Sequence, residues 1–177
     1  MILYLEGSVG PRMFEKLAWG YSQLKKKDRL NLYLNSPGGN MTECEMITQL
    51  IEDNRDRTVL NCAGEICSAA LHIAIRVSCP RNLFPDLVGL AHIPRIWTLS
   101  TAKGLADGQE FTGMYLRDKT QLKNFIDVYK PILTETQWKT FSEGHDLYLN
   151  NKDLVNLFKK QTKIQNEYFK NLNEEYA

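Results

Sequence analysis

Two hydrophobic rhythms alternate along the first half of the chain. Ile2–Leu5 is a short continuous apolar run, which predicts a strand buried on both faces of a parallel sheet, and Gly7–Pro11 breaks it. Met13, Leu17, Tyr21 and Leu24 then recur at helical spacing up to the lysine run Lys25–Lys27. Leu30, Leu32 and Leu34 alternate, so a second strand is expected over Leu30–Leu34, stopping at Asn35-Ser36-Pro37-Gly38-Gly39. Cys44, Ile47, Leu50 and Ile51 return to the helical period, with Asn40 or Thr42 as candidate cap. Thr58–Cys62 reads as a third strand, and beyond Gly64 helical spacing resumes. This β-α-β-α-β-α order with short links predicts an α/β fold: a mainly parallel sheet with right-handed crossovers and helices on both faces.

The second half is less regular. Arg81–Phe84 and Leu87–His92 are short candidate strands, and the polar, Gly-containing stretch 97–108 is expected to leave the sheet as an excursion. Gln109–Lys130 reads as a long helix with Tyr115, Leu122, Phe125, Ile126 and Tyr129 as its stripe, ended or kinked by Pro131. A further helix spans about Glu135–Ser142 and leads through Gly144 to Asp146 and the apolar pair Tyr148-Leu149. From Lys152 the tail is helical, with Leu154, Leu157, Phe158, Ile164, Tyr168 and Leu172 in register. No internal repeat or low-complexity linker interrupts the 177 residues, and 43% hydrophobic content supports a single domain over 1–177.

Charge and cysteine usage narrow the function classes. Lys+Arg 22 against Asp+Glu 21 gives a formal net charge of +1, so the balance advertises neither nucleic acid nor an anionic membrane. Cys44, Cys62, Cys67 and Cys79 lie mostly in apolar runs without CxxC pairing or a histidine at zinc spacing. Reduced, packed thiols in a cytoplasmic setting are expected, with no metal and no cofactor. The amino terminus shows no basic n-region, signal-like h-region or long apolar span, so the expectation is a soluble protein.

Chemistry concentrates in Val59–Ile75, VLNCAGEICSAALHIAI. A β-rich run meets Gly64, and small residues carry Ser68 into an apolar helical segment. A serine at a strand-to-helix turn is lifted clear of the sheet, and the following N–H points where an oxyanion forms. In parallel sheets chemistry sits beyond the carboxyl ends of the strands, so the SPGG turn and the Ser68 turn are expected on one rim. A serine nucleophile needs a base, and the chain offers His72, His92 and His145. His72 lies one turn along the helix after Ser68 and reads as a core or interface histidine. His145 sits in a Gly-flanked bend and is expected to be solvated. His92 closes a strand, two residues before Pro94, and is the best candidate base. Cys67 cannot face the same base as Ser68 if the turn enters a helix, since helical neighbours point about 100° apart; it is read as packing.

Five stretches in order, ILYLEGSV, NLYLNSPGGNMT, CAGEICSAA, AHIP and DLYLNNKDLVNLF, resemble the ClpP-like serine peptidases, the proteolytic subunit of the Clp endopeptidase. The resemblance covers about Ile2–Phe158. It implies a ClpP/crotonase-type fold in which the long helix at Gln109–Lys130 is a protruding handle between rings, within a handle region of about 97–133. It implies Ser68 as nucleophile, His92 as general base and then acid, and Asp146 as the carboxylate orienting His92. Gly38 and Ala69 would offer the oxyanion N–H groups, and the Gly38-Gly39 backbone would pair with substrate. Asp146 has an alternative reading as a cap before the Asn150-Asn151 bend.

The implied activity is hydrolysis of peptide bonds in peptide or unfolded protein substrates, through an acyl-enzyme inside a homo-oligomer of heptameric rings. Family members carry a segment ahead of the first strand that forms axial pore loops and engages an AAA+ unfoldase. Here Met1 is followed at once by the strand, which leaves that partner in question. Ile66-Cys67 stand for the usual Ala-Ala before the serine, and Ala69-Ala70 for Met-Gly after it. The helical extension over about 158–177 passes the family core, and the compact chain resembles phage-encoded members. Two rival readings are a catalytically silent ring subunit or scaffold and a crotonase-like acyl-CoA enzyme; the latter leaves Ser68, His92 and Asp146 coincidental.

Overall fold

The computed structural model describes residues 1–93 and 123–175, and it divides into two compact units, Met1–Ala91 with Asp146–Ala177, and His92–His145. In the first unit, β1 (Ile2–Glu6), α1 (Pro11–Ser22), β2 (Leu30–Ser36), α2 (Met41–Glu52) and β3 (Thr58–Cys67) alternate as expected. They are followed by α3 (Ala69–Arg76), β4 (Arg81–Leu83) and β5 (Val88–Ala91). The sheet order is β1-β2-β3-β5-β6, with β4 also on β3. All these pairings are parallel except that of β5 with the short β6 (Leu147–Leu149). The protein is therefore α/β with a mostly parallel sheet.

Leu30, Leu32 and Leu34 are fully buried, as their alternation predicts. β1 differs from expectation. Leu3 and Leu5 are buried, whereas Ile2 and Tyr4 are 57% and 50% exposed. β1 is an edge strand covered by α1 on its leucine side, where Gly20 closes on Leu3. Asn40 caps α2, its side chain accepting the Thr42 N–H at 2.7 Å.

β3 runs five residues past the predicted end. Leu34 pairs with Cys62 but Ser36 with Ile66, so the register breaks around Gly64, at φ +67. Asn35 fills the space where a Gly64 side chain would go and accepts the Glu65 N–H at 3.1 Å. The glycine thus makes a bulge and does not end the strand. Before it β3 pairs with β4, after it with β5.

The second unit holds a helical stretch over residues 123–129, ending before Pro131, and α4 (Glu135–Ser142) at its predicted bounds. Thr134 and Gln137 form a reciprocal capping box at its start. Phe125, Tyr129 and Phe141 stack in series at 5.5 and 4.9 Å. The predicted excursion over 97–108 and the handle up to residue 122 lie outside the described residues.

Back in the first unit, α5 (Asn151–Glu175) buries Leu154, Leu157 and Phe158, with Leu154 closing on Gly89 of β5. Ile164 and Tyr168 keep the register yet are exposed, and the Leu172 side chain is outside the described residues. Among the described residues no helix is long and apolar enough to cross a membrane.

Candidate active site

β3 ends at Cys67 and α3 begins at Ala69, so Ser68 alone makes the turn. Its backbone is at φ 52, ψ −119, and it is the one non-glycine residue at positive φ among the described residues. Holding a side chain there costs about 1–3 kcal/mol and persists only where neighbours enforce it. They do: the Ser68 N–H donates to Leu90 O at 2.7 Å, and its carbonyl accepts the His72 N–H at 3.0 Å. A serine before a helix ordinarily caps it, but the Ser68 side chain makes no such hydrogen bond. The half-buried hydroxyl is therefore not spent on its own helix.

The Ser36–Asn40 turn lies against this elbow. A Cβ on Gly38, at φ +99, would come within 2.7 Å of both Cys67 O and Ser68 Cβ and 3.1 Å of Ala69 N. A Cβ on Gly39, at φ +154, would fall 2.2 Å from Val9 O. Only the double glycine lets these backbones meet. Val9 binds the turn in a parallel bridge, its N–H donating to Gly38 O at 2.8 Å and its carbonyl accepting the Asn40 N–H at 2.9 Å. In that pattern the N–H and C=O of Gly39 itself point away from Val9. The Gly38 N–H donates to the buried Ser36 hydroxyl at 3.1 Å. Ala69 N–H belongs to the first turn of α3, where no intrahelical acceptor exists.

His92 follows directly on β5 and opens the second unit. Its Nδ1 lies 2.7 Å from the Ile93 carbonyl. A carbonyl can only accept, so Nδ1 is the donor in this contact. Asp146 is half-buried and immediately precedes β6, where Leu147 pairs with Ala91. The cap before α5 is supplied elsewhere: Asn150 and Asp153 exchange backbone-to-side-chain hydrogen bonds at 3.0 and 3.2 Å. Pro94 lies outside the described residues.

His72 and His145 stand as their sequence context implies, whereas Cys67, expected to be packed, is only half-buried. His72 is 1% exposed, with Nε2 3.7 Å from Glu45 of α2, and burial lowers its pKa. His145 is largely exposed, 4.0 Å from Glu143. Burial, and then neighbouring Glu65, raise the Cys67 pKa, so its thiol stays protonated at neutral pH. All four cysteines are free, and among the described residues no cluster of His, Cys, Asp or Glu could hold a metal.

Sequence reasoning missed the supports. Asn35 buttresses the bulge before the elbow, Ser36 holds the Gly38 N–H, and the Cys44 thiol donates to Ala69 O at 3.3 Å. Asn-Ser ahead of Pro-Gly-Gly was the available signal, since these side chains bind backbone N–H groups nearby.

A family model for Clp protease matches residues 7–108, a segment that includes the double-glycine turn, Ser68 and His92 but not Asp146. Comparison with curated proteins returns no match.

Proposed function

The chain belongs to the Clp protease family, and from that premise we propose that it is a serine endopeptidase with Ser68 as nucleophile, His92 as base and Asp146 as the orienting carboxylate. The observation that carries the reading is the Ser68 elbow: strained, held on both sides, with its hydroxyl not used as a cap. His92 Nε2 takes the Ser68 hydroxyl proton as Oγ attacks the peptide carbonyl carbon. The tetrahedral oxyanion collapses, the C–N bond breaks, and the proton passes from His92 to the departing amine. Water then attacks the acyl-enzyme, giving its proton to His92, and Ser68 leaves with that proton restored.

Connectivity supports the two partners of Ser68. The Ser68 N–H is bonded to β5, β5 continues straight into His92, and β6, beside β5, is entered from Asp146. For the oxyanion, Ala69 N–H is one donor. Gly38 can be the second only by leaving Ser36, whereas the Gly39 N–H already points off the bridged side of the turn. The open edge of the same turn is suited to pairing with an extended substrate backbone, which gives affinity with little sequence demand.

The family further implies peptide or unfolded protein substrates and homo-oligomeric rings, heptameric in the resemblance on which this reading draws; an AAA+ unfoldase is the partner to seek. A catalytically silent ring subunit is the second reading, favoured by the contact of His92 Nδ1 with the Ile93 carbonyl, the position a triad gives to a carboxylate. Hydrolysis of a fluorogenic peptide by the assembled protein separates the two. Ser68→Ala is expected to lower kcat by about 1,000-fold or more; equal turnover by wild type and variant would overturn the peptidase reading.

A further inference from the structure

At the opposite ends of the strands from Ser68, the first unit carries a groove of about 950 Å³ between α5 and the starts of β3 and β4. Its walls hold Arg29, Arg55, Arg57, Arg81 and Lys159 against one carboxylate, Asp56. The whole chain has a formal net charge of only +1, so positive charge is gathered here and the remainder is net negative. The imbalance belongs to this groove: an adjoining hollow of about 370 Å³ shares Arg29, Asp56 and Arg57, but there Lys26 and Lys27 are matched by Asp28 and Asp53.

A solvated charged edge would not need a floor, and this one has one. Val59, Leu83, Phe158 and Phe169 line the groove, and two of the cations lie over its rings: Arg55 at 5.0 Å from the Phe169 centroid and Arg81 at 5.1 Å from that of Phe158. Arg81 is structural. Its Nη1 donates to the carbonyls of Ala74 and Val77 at the end of α3, and its Nη2 to Thr162 and Gln165 of α5. Arg57 gives two donors to Asn54. Arg55 is differently placed. The nearest carboxylate, Glu52, is 3.9 Å away and its oxygens accept from the Ser78 N–H and hydroxyl. Arg29 and Lys159, both exposed, line the same groove.

We infer that this groove is a docking site for an acidic peptide segment of another protein, its carboxylates paired with Arg29, Arg55 and Lys159 and an apolar residue set against half-buried Val59 and Leu83. The bidentate fork of a guanidinium matches a carboxylate, and the apolar floor favours a side chain over a sugar-phosphate backbone. Because the groove and the Ser68 elbow are at opposite strand ends, the site serves association and not bond cleavage.

The test is fluorescence anisotropy of the full chain with a short labelled peptide of glutamates interspersed with leucine and phenylalanine, at low and physiological ionic strength. Saturable binding that weakens with salt is expected. The Arg55→Gln/Lys159→Gln pair should weaken it about tenfold with unchanged circular dichroism, while Lys159→Arg, which keeps the charge, retains it. Replacing the peptide's glutamates by glutamine should abolish binding without touching the protein, so the result stands even if the double variant folds poorly. Three outcomes overturn the proposal: glutamine and glutamate peptides binding alike, a single-stranded oligonucleotide binding more tightly than the peptide, or the double substitution changing oligomeric mass while the peptide does not compete. The last would make a second copy of this chain the occupant.

Discussion

Ser68 and Gly38 solve one steric problem from two sides: the serine accepts a backbone shape that disfavours side chains, and the glycine opposite gives up its side chain so that the turn can reach it. Their substitutions should therefore change stability in opposite directions. Ser68→Gly relieves the positive φ and is expected to stabilise the fold by about 1 kcal/mol while removing the proposed nucleophile. Gly38→Ala forces a Cβ against Cys67 O and Ser68 Cβ at φ +99 and should cost about 2 kcal/mol or more. Urea denaturation of both variants measures the contrast; a destabilised Ser68→Gly would mean that the elbow is not strained. The elbow was legible in part: the small residues Cys67-Ser68-Ala69-Ala70 ahead of a helical period mark the turn, while Gly64, read as its start, lies within the strand. The Ser36 contact on Gly38 N–H was not, since it depends on the orientation of a single peptide plane.

α2 and α3 meet through an ionic cluster behind the elbow, in which Glu45 binds Arg76 and approaches buried His72. The His72 hydrogen bond, opposed by partial burial and helped by Arg76, lowers the Glu45 pKa from 4.5 to about 2. Burial lowers that of His72 below its usual 6.5. A carboxylate with a depressed native pKa contributes stability above about 4.5 that is lost as pH falls toward about 2. A histidine buried neutral loses stability as pH falls below 6.5, where the unfolded chain takes up the proton first. Both contributions point the same way, so Tm should fall on acidification, and Glu45→Gln should flatten the fall below about pH 4.5. Parallel Tm curves for wild type and variant over that range would contradict the cluster's role. At the start of α2, Asn40→Ala should cost about 1 kcal/mol by removing the acceptor for Thr42 N–H, measurable in the same denaturation series. The helix with a clear period and cap, α4, was read to the residue, and the start of α2 falls at Asn40, one of its two candidate caps. β3 was cut short because Gly64 looks like a terminator, while Asn35, far away in sequence, turns it into a bulge. β6 was missed as a strand because three residues carry no period of their own; its pairing with β5 defines it.

At the scale of the whole molecule, the first unit leaves large apolar side chains in water: Trp19, Tyr4, Val88 and Tyr148, the last 75% exposed, together with Ile164 and Tyr168 on the far half of α5. The ring assembly proposed for the chain would bury these surfaces. Size-exclusion chromatography with light scattering should show a multiple of the 20.4 kDa chain mass, whereas a monomer at micromolar concentration would contradict assembly. Charge gathered at the amino ends of the strands and the strained Ser68 turn at their carboxyl ends give the sheet two chemically distinct rims. Net charge concealed the first, since +1 averages over a cationic groove and an acidic remainder. Of all measurements, fluorophosphonate labelling of the assembled protein, with the adduct located by mass spectrometry, tests the central claim most directly. One adduct per chain on Ser68, lost in Ser68→Ala and His92→Ala, is the predicted result. A folded, assembled protein that takes no label on Ser68, or that labels equally without His92, would contradict it.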